Sequence, residues 1–107
     1  MTDHEKKVTE MIKAKIMEKD PTAEVILYGS HARGDANKDS DWDILILVNI
    51  PNFKWNMGKK YRDAIVDIEL DIEEPISTII VPKDDWETRH VPTPFYQNVK
   101  EQGIHLT

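Results

Sequence analysis

Two acidic residues one position apart, Asp41 and Asp43, stand at the start of an apolar segment of the chain. Side chains alternate between the two faces of a β-strand, so we expect both carboxylates on one face and Trp42 on the other. Two carboxylates placed in this way repel each other unless a cation lies between them. Mg²⁺ prefers oxygen ligands and is commonly bound by one or two carboxylates together with substrate phosphates. The pair therefore predicts a site for Mg²⁺, or for Mn²⁺, which suits the same ligands.

A Gly-Ser pair, Gly29 and Ser30, ends the preceding apolar segment. Gly29 permits a backbone conformation and a close approach that a side chain would prevent. Ser30 can cap a short helix, and the free N–H groups of such a turn favour a phosphate. Arg33 lies one helical turn beyond Ser30 and can reach the same phosphate with its planar guanidinium, although a surface salt bridge is an equal alternative. These residues predict a phosphate-binding turn.

The spacing of the two motifs is more specific than either motif alone. Ten residues, from His31 to Ser40, separate the Gly-Ser pair from the Asp-Trp-Asp triplet. This arrangement resembles the minimal nucleotidyltransferase family of the DNA polymerase beta-like superfamily. The tripeptide Ala32-Arg33-Gly34 and the serine before the first aspartate are similar to that family as well. The specific match spans about residues 25 to 48, and the tail from 93 to 104 resembles the family's closing helix and short strand.

The resemblance implies transfer of a nucleoside monophosphate, AMP foremost, from a nucleoside triphosphate to a hydroxyl acceptor. It implies that Asp41 and Asp43 are catalytic and bind the metal, and that the nucleotide is held by Gly29, Ser30 and Arg33. One acceptor that the family suggests is a hydroxyl on a protein, such as a tyrosine of a toxin. The chain would then be the antitoxin beside a small helical toxin-type partner.

The resemblance is incomplete at one point, because the family usually supplies a third carboxylate from a later strand. The predicted third strand, over residues 76–81, contains no acid, and Ser77 or Thr78 takes the expected place. A hydroxyl is a poor general base and a weaker Mg²⁺ ligand than a carboxylate. An alternative hypothesis therefore stays open, in which the chain is a catalytically weak or inactive protein-binding module. The nearest acids flank the strand: Asp71, Glu73, Glu74, Asp84 and Asp85.

Length and composition narrow the class of protein. The 107 residues suit one domain, predicted over residues 1–107, and 39% hydrophobic with 32% charged residues is typical of a soluble globular chain. No apolar run approaches a membrane span, no secretory leader is evident and cysteine is absent, so we expect a cytoplasmic protein without disulfides or a membrane partner. A net charge of −6 disfavours binding to long nucleic acid and favours a metal-bound nucleotide or a basic protein partner.

The order of predicted elements indicates an α+β fold with a small mixed β-sheet flanked by helices. A capping box, Thr2-x-x-Glu5, begins a helix over residues 3–19. An apolar stripe that starts at Met57 predicts a second helix over 54–73. Strands are predicted at 24–28, 43–49 and 76–81, helical turns at 30–34 and 84–89, and a short helix at 95–101.

Several other residues have predicted structural roles. Tyr28 is expected in the core and Trp42 against a helix. His31 is expected to be solvated, because no Ser or Cys nucleophile is indicated near it. The acidic run over residues 67–74 is expected to form a solvated helix face.

Overall fold

The computed structural model describes all residues from 1 to 107, and its elements follow the predicted order. In chain order they are α1 (Asp3–Lys19), β1 (Glu24–Tyr28), α2 (Gly29–Arg33), β2 (Trp42–Val48), a 3₁₀ turn (Trp55–Gly58), α3 (Lys59–Ile72), β3 (Ile76–Pro82), α4 (Lys83–Thr88), α5 (Pro94–Gln102) and β4 (Ile104–His105). The architecture is α+β, with a small mixed sheet flanked by helices, as predicted. None of the helices is both long and apolar enough to span a bilayer.

The sheet has the strand order β3-β2-β1-β4. β1 pairs antiparallel with both β2 and β4, whereas β2 and β3 run parallel and are joined by the crossover through α3. β2 is an inner strand and six of its seven residues are buried. A strand covered on both faces needs apolar residues at successive positions, which is the pattern that the sequence shows here.

The larger core lies between one face of the sheet and helices α1 and α3. β2 contributes Ile44, Ile46 and Val48, and these residues pack with apolar side chains of both helices in a cluster of 15 buried residues. α1 begins with the predicted capping box: the Thr2 hydroxyl accepts from the Glu5 N–H, and the Glu5 carboxylate accepts from the Thr2 N–H. The capping box therefore sets where α1 begins on this face.

The opposite face of the sheet is covered only in part. Leu45 and Leu47 of β2 pack with Trp86 of α4 and Val99 of α5 in a cluster of 6 buried residues. The end of this face near the start of β2 and β3 has no such cover, and Ser77 is exposed there. The uncovered end is the region into which the acidic motif projects.

The predicted long helix over 54–73 differs from the structure at its start. Residues Trp55–Gly58 form a 3₁₀ turn, α3 begins only at Lys59, and Met57 is 39% exposed rather than part of the core stripe. Gly58 lies so close to Arg62 and Ile80 that a Cβ atom would collide with the arginine. The packing of Gly58 against β3 joins residues far apart in the chain, which hydrophobic periodicity does not report.

Candidate functional site

The Asp43 carboxylate lies directly against the backbone of Gly29. Tyr28, the last residue of β1, is the antiparallel partner of Asp43, so the turn that follows β1 begins beside this acid. Gly29 has a φ of +74°, and a Cβ atom there would collide with Oδ2 of Asp43. Glycine is required on both counts. The sequence predicted a close approach at Gly29, and the approaching group is the carboxylate.

The two aspartates of the acidic motif are electrostatically coupled. Asp41 is exposed just before β2, and Asp43 is half-buried within it. Burial raises the pKa of Asp43 and the negative charge of Asp41 raises it further, whereas His31 and Arg33 act to lower it. A divalent cation bound by both carboxylates would relieve this unfavourable interaction.

Ser30 and Arg33 lie on the short helix α2 beside the acids. The Ser30 carbonyl accepts the N–H groups of Gly34 and Asp35, which ends the helix. Arg33 is exposed, and its Nε donates to Asp35 Oδ2 at 3.2 Å. Its charge nevertheless lies near enough to Asp43 to affect the pKa of that acid. An exposed arginine with one loose ion pair can reorient towards a phosphate, and phosphate binding by Ser30 and Arg33 stays a prediction.

Of the two candidate β3 residues, Ser77 rather than Thr78 lies beside Asp43. In the parallel register of β2 and β3, Asp43 is the partner of Ser77, so both side chains project from the same face. Thr78 projects from the other face, and its hydroxyl is buried without a hydrogen-bond partner. No group of three or more His, Cys, Asp or Glu side chains is arranged to hold a metal ion. Two carboxylates completed by substrate phosphates fit Mg²⁺, which binds readily with few protein ligands.

A model of the nucleotidyltransferase domain family matches residues 9–103. The chain belongs to this family. A relative from Methanocaldococcus jannaschii, named "Putative protein adenylyltransferase", is 35% identical over 89 residues, which are 82% of each protein. These two findings confirm the predicted minimal nucleotidyltransferase membership and identify the chain as a nucleotidyltransferase enzyme. A chain from the crystal structure of a toxin-antitoxin with AMP-PNP has the same fold, with a TM-score of 0.66 and 18% identity over 92% of this chain and 72% of that chain.

The prediction that His31 is solvated is wrong. In this nucleotidyltransferase the His31 side chain is 7% exposed, and its Nδ1 lies 2.8 Å from the Glu5 carboxylate of α1. Its ring stacks on Trp42 with 3.7 Å between the ring centroids and an angle of 2°. The imidazole is buried between the Glu5 carboxylate of α1 and the Trp42 ring of β2. His31 and Glu5 are 26 residues apart, so no local pattern could reveal the contact.

Trp42 holds the acidic motif from the opposite face of β2. Trp42 lies between the two aspartates in the sequence, and its side chain is fully buried. Its Nε1 donates to the Glu74 carboxylate at 3.3 Å. Its ring also meets the ring of His4 edge-on. The prediction of packing against a helix is correct, since His31 belongs to α2 and His4 to α1. The tryptophan therefore anchors the nucleotidyltransferase motif to α1, to α2 and to the loop that follows α3.

A pocket of about 230 Å³ adjoins the site between α2 and α5. Tyr28, Gly29 and Arg33 line its side towards the acids, and Phe95 and Asn98 line the side of α5. Burial raises the pKa of Tyr28, and the nearby charge of Asp43 raises it further. Tyr28 is half-buried and packs edge-on against Phe95, so its expected place in the core is reached only in part.

Proposed function

We propose that this nucleotidyltransferase transfers a nucleoside monophosphate, AMP foremost, from a nucleoside triphosphate to a hydroxyl acceptor, with Mg²⁺ or Mn²⁺ as the metal. The contact between Asp43 and Gly29 carries the proposal, because it places a metal-binding type of side chain beside a turn suited to phosphates. The name of the adenylyltransferase relative and the AMP-PNP of the structural neighbour support an adenine nucleotide.

Each residue of the site has a role in this proposal. Asp41 and Asp43 would hold the metal, while Gly29, Ser30 and Arg33 would orient the β- and γ-phosphates. When bound, Mg²⁺ would supply positive charge to the phosphate oxygens during the transfer. The acceptor oxygen would form a bond to the α-phosphorus as the bond to the pyrophosphate oxygen breaks, and the hydroxyl proton would pass to water. No carboxylate of β3 is placed to take that proton, which indicates slow transfer unless the acceptor assists.

We further propose a hydroxyl on a protein as the acceptor, with a small helical toxin-type protein as the partner and this chain as the antitoxin. The relative is named for adenylylation of proteins, and the structural neighbour comes from a toxin-antitoxin. We expect a cytoplasmic location and no nucleic-acid partner, because the chain lacks cysteine and has a net charge of −6. The alternative, a binding module with weak or no catalysis, rests on Ser77 in the third acidic position.

The test uses ATP labelled at the α-phosphate, Mg²⁺ and the product of a neighbouring gene as acceptor. We expect label on that protein, and its loss when Asp41→Asn and Asp43→Asn are combined. Asp39→Asn is the matched control, because Asp39 is an exposed acid of the adjoining loop. Equal loss in the control would contradict a specific role for the two acids. Metal-dependent binding of ATP with a stable protein complex but no label would favour the binding module.

A further inference from the structure

Most of the large exposed apolar side chains lie on α3 with the turn before it and on the neighbouring strand β3. Seven large hydrophobic side chains are exposed, and five of them lie between the 3₁₀ turn and β3: Trp55, Met57, Val66, Leu70 and Ile79. Arg62 of α3 packs against the 3₁₀ turn, since its guanidinium carbon lies 3.9 Å from the centroid of the Trp55 ring. Clustered exposed apolar residues on a soluble protein mark an interaction surface more often than scattered ones do.

The strand next to this surface, β3, has an open edge. It is the last strand of the sheet and pairs only with β2. Its seven residues, Ile76–Pro82, include no charged side chain. Edge strands usually carry charges, bulges or a covering element that prevent pairing with another chain. β3 has only the proline at its end, so its middle remains competent to pair.

The backbone groups that face this edge can be identified. The Trp42 N–H donates to the Pro75 carbonyl at 3.0 Å, so the backbone of Pro75 faces β2. Because the backbone groups of successive strand residues point to opposite sides, Thr78 and Ile80 direct their N–H and C=O groups outwards. Ile79 lies between them, and its side chain is 41% exposed.

Helix α3 runs antiparallel along the same edge. Glu69 accepts the N–H of Ile76 at 2.9 Å at the start of β3, while Gly58, just before α3, packs against Ile80 near its end. The charges of α3 are divided along its length. Its first half is basic on balance, with Lys59, Lys60 and Arg62 against Asp63, which pairs with Lys59. Its second half with the following loop is acidic, with Asp67, Glu69, Asp71, Glu73 and Glu74.

We propose that the open edge of β3 and the adjoining face of α3 form an interface between two copies of this chain. The two β3 strands would run antiparallel about a two-fold axis at Ile79. Thr78 of each copy would exchange both backbone hydrogen bonds with Ile80 of the other. The two Ile79 side chains would then be direct, closely spaced neighbours across the axis.

Charge complementarity identifies the second copy as the occupant. A two-fold axis at the middle of β3 sets the two α3 helices side by side and antiparallel. The basic end of each helix then lies opposite the acidic end of the other. A helical partner protein would leave the outward N–H and C=O groups of β3 unpaired, whereas another β3 strand satisfies them. Ser77 would lie opposite Val81 of the second copy, so the dimer would border the open side of the candidate site.

The test is sedimentation velocity of the full chain without nucleotide, from micromolar to millimolar concentration. We expect a concentration-dependent dimer. Ile79→Lys should weaken it about ten-fold or more, because an unpaired charge at the centre of an interface must lose its water. Leu70→Lys is the second variant, because Leu70 is 73% exposed on α3 and a charge there should leave the fold intact. Val91→Lys is the matched control on an exposed apolar residue outside this surface.

Circular dichroism checks that each variant is folded. A wild-type chain that stays monomeric at every concentration would overturn the proposal and leave this surface to a different partner. A dimer that both Ile79→Lys and Leu70→Lys leave intact, or that Val91→Lys weakens equally, would also overturn it. Nucleotide and metal are absent from the experiment, so its result does not depend on the proposed transfer reaction.

Discussion

At the residue scale, the contact between Gly29 and Asp43 dominates the site. Gly29 has a positive backbone φ, and the Asp43 carboxylate that lies against it is partly buried and close to a second acid, Asp41. Such an arrangement costs free energy in the absence of a cation. Sites that bind ligands commonly hold strain and unfavourable charge of this kind.

We expect Gly29→Ala to lower the free energy of unfolding and to prevent binding of Mg²⁺ with ATP. A non-glycine residue at positive φ costs about 1–3 kcal/mol, and the new methyl group would displace the Asp43 carboxylate. Urea denaturation and titration calorimetry measure the two effects. Gly34→Ala is the matched control, because Gly34 has a φ of +83° but open space around it. Loss of binding in both variants would assign the effect to strain rather than to the collision.

Asp43→Asn should stabilise the metal-free protein at neutral pH. The pKa of Asp43 is raised in the folded chain, so the folded state holds its proton more tightly and loses stability as the pH rises through that pKa. Asparagine removes this penalty. The difference between the two proteins should vanish as the pH falls below 3.8, the ordinary value. Thermal unfolding at several pH values tests this, and a destabilised variant at neutral pH would contradict it.

Ser77→Asp should increase nucleotidyl transfer. The new carboxylate would share a face with Asp43 and could take the acceptor proton, an effect typically of about 10²–10⁴-fold. Initial rates with α-labelled ATP measure the gain. Ser77→Asn adds similar bulk without a charge and should give none. Equal rates for Ser77→Asp and the wild type would show that a proton acceptor at this position does not limit the reaction.

At the element scale, the start of α1 is tied to the site through α2. Glu5 belongs to the capping box and is also the partner of the buried His31, whose ring supports Trp42. One carboxylate thus contributes both to the start of a helix and to the packing beneath the acidic motif. Asp43 and Leu45 share one face of β2. Leu45 is covered by α4 and α5, whereas Asp43, nearer the start of the strand, is not. The site therefore lies at the end of the sheet.

Glu5→Gln should destabilise the fold by about 1.5–3 kcal/mol at neutral pH, since it weakens charge-assisted hydrogen bonds in a buried place. The hydrogen bond from the Thr2 backbone and that with His31 hold the pKa of Glu5 below its ordinary value of 4.5. The stabilisation is therefore present above that pH and is lost as the pH falls below it. Urea denaturation at pH values on both sides tests the prediction. Glu10→Gln, on an exposed acid of α1, should have little effect.

At the scale of the whole molecule, the two faces of the sheet carry cores of different size, with 15 buried residues on one face and 6 on the other. Helices α1 and α3 cover one face fully, while α4 and α5 leave the start of β2 and β3 open on the other. The open end carries the candidate site, and the open edge of β3 carries the proposed dimer interface. Both features lie where the helices and loops of this chain do not cover the sheet.

Local sequence patterns were sufficient to predict the order of the elements and the nucleotidyltransferase motif. Helix α1 and strand β1 lie at their predicted bounds, because capping and hydrophobic periodicity act between residues a few positions apart. The burial of His31 became evident only in the folded chain, as did the fact that Ser77, rather than Thr78, shares a face with Asp43. These facts depend on the register of β3 and on the contact of His31 with Glu5. Both join residues far apart in the chain, where local sequence patterns carry no information.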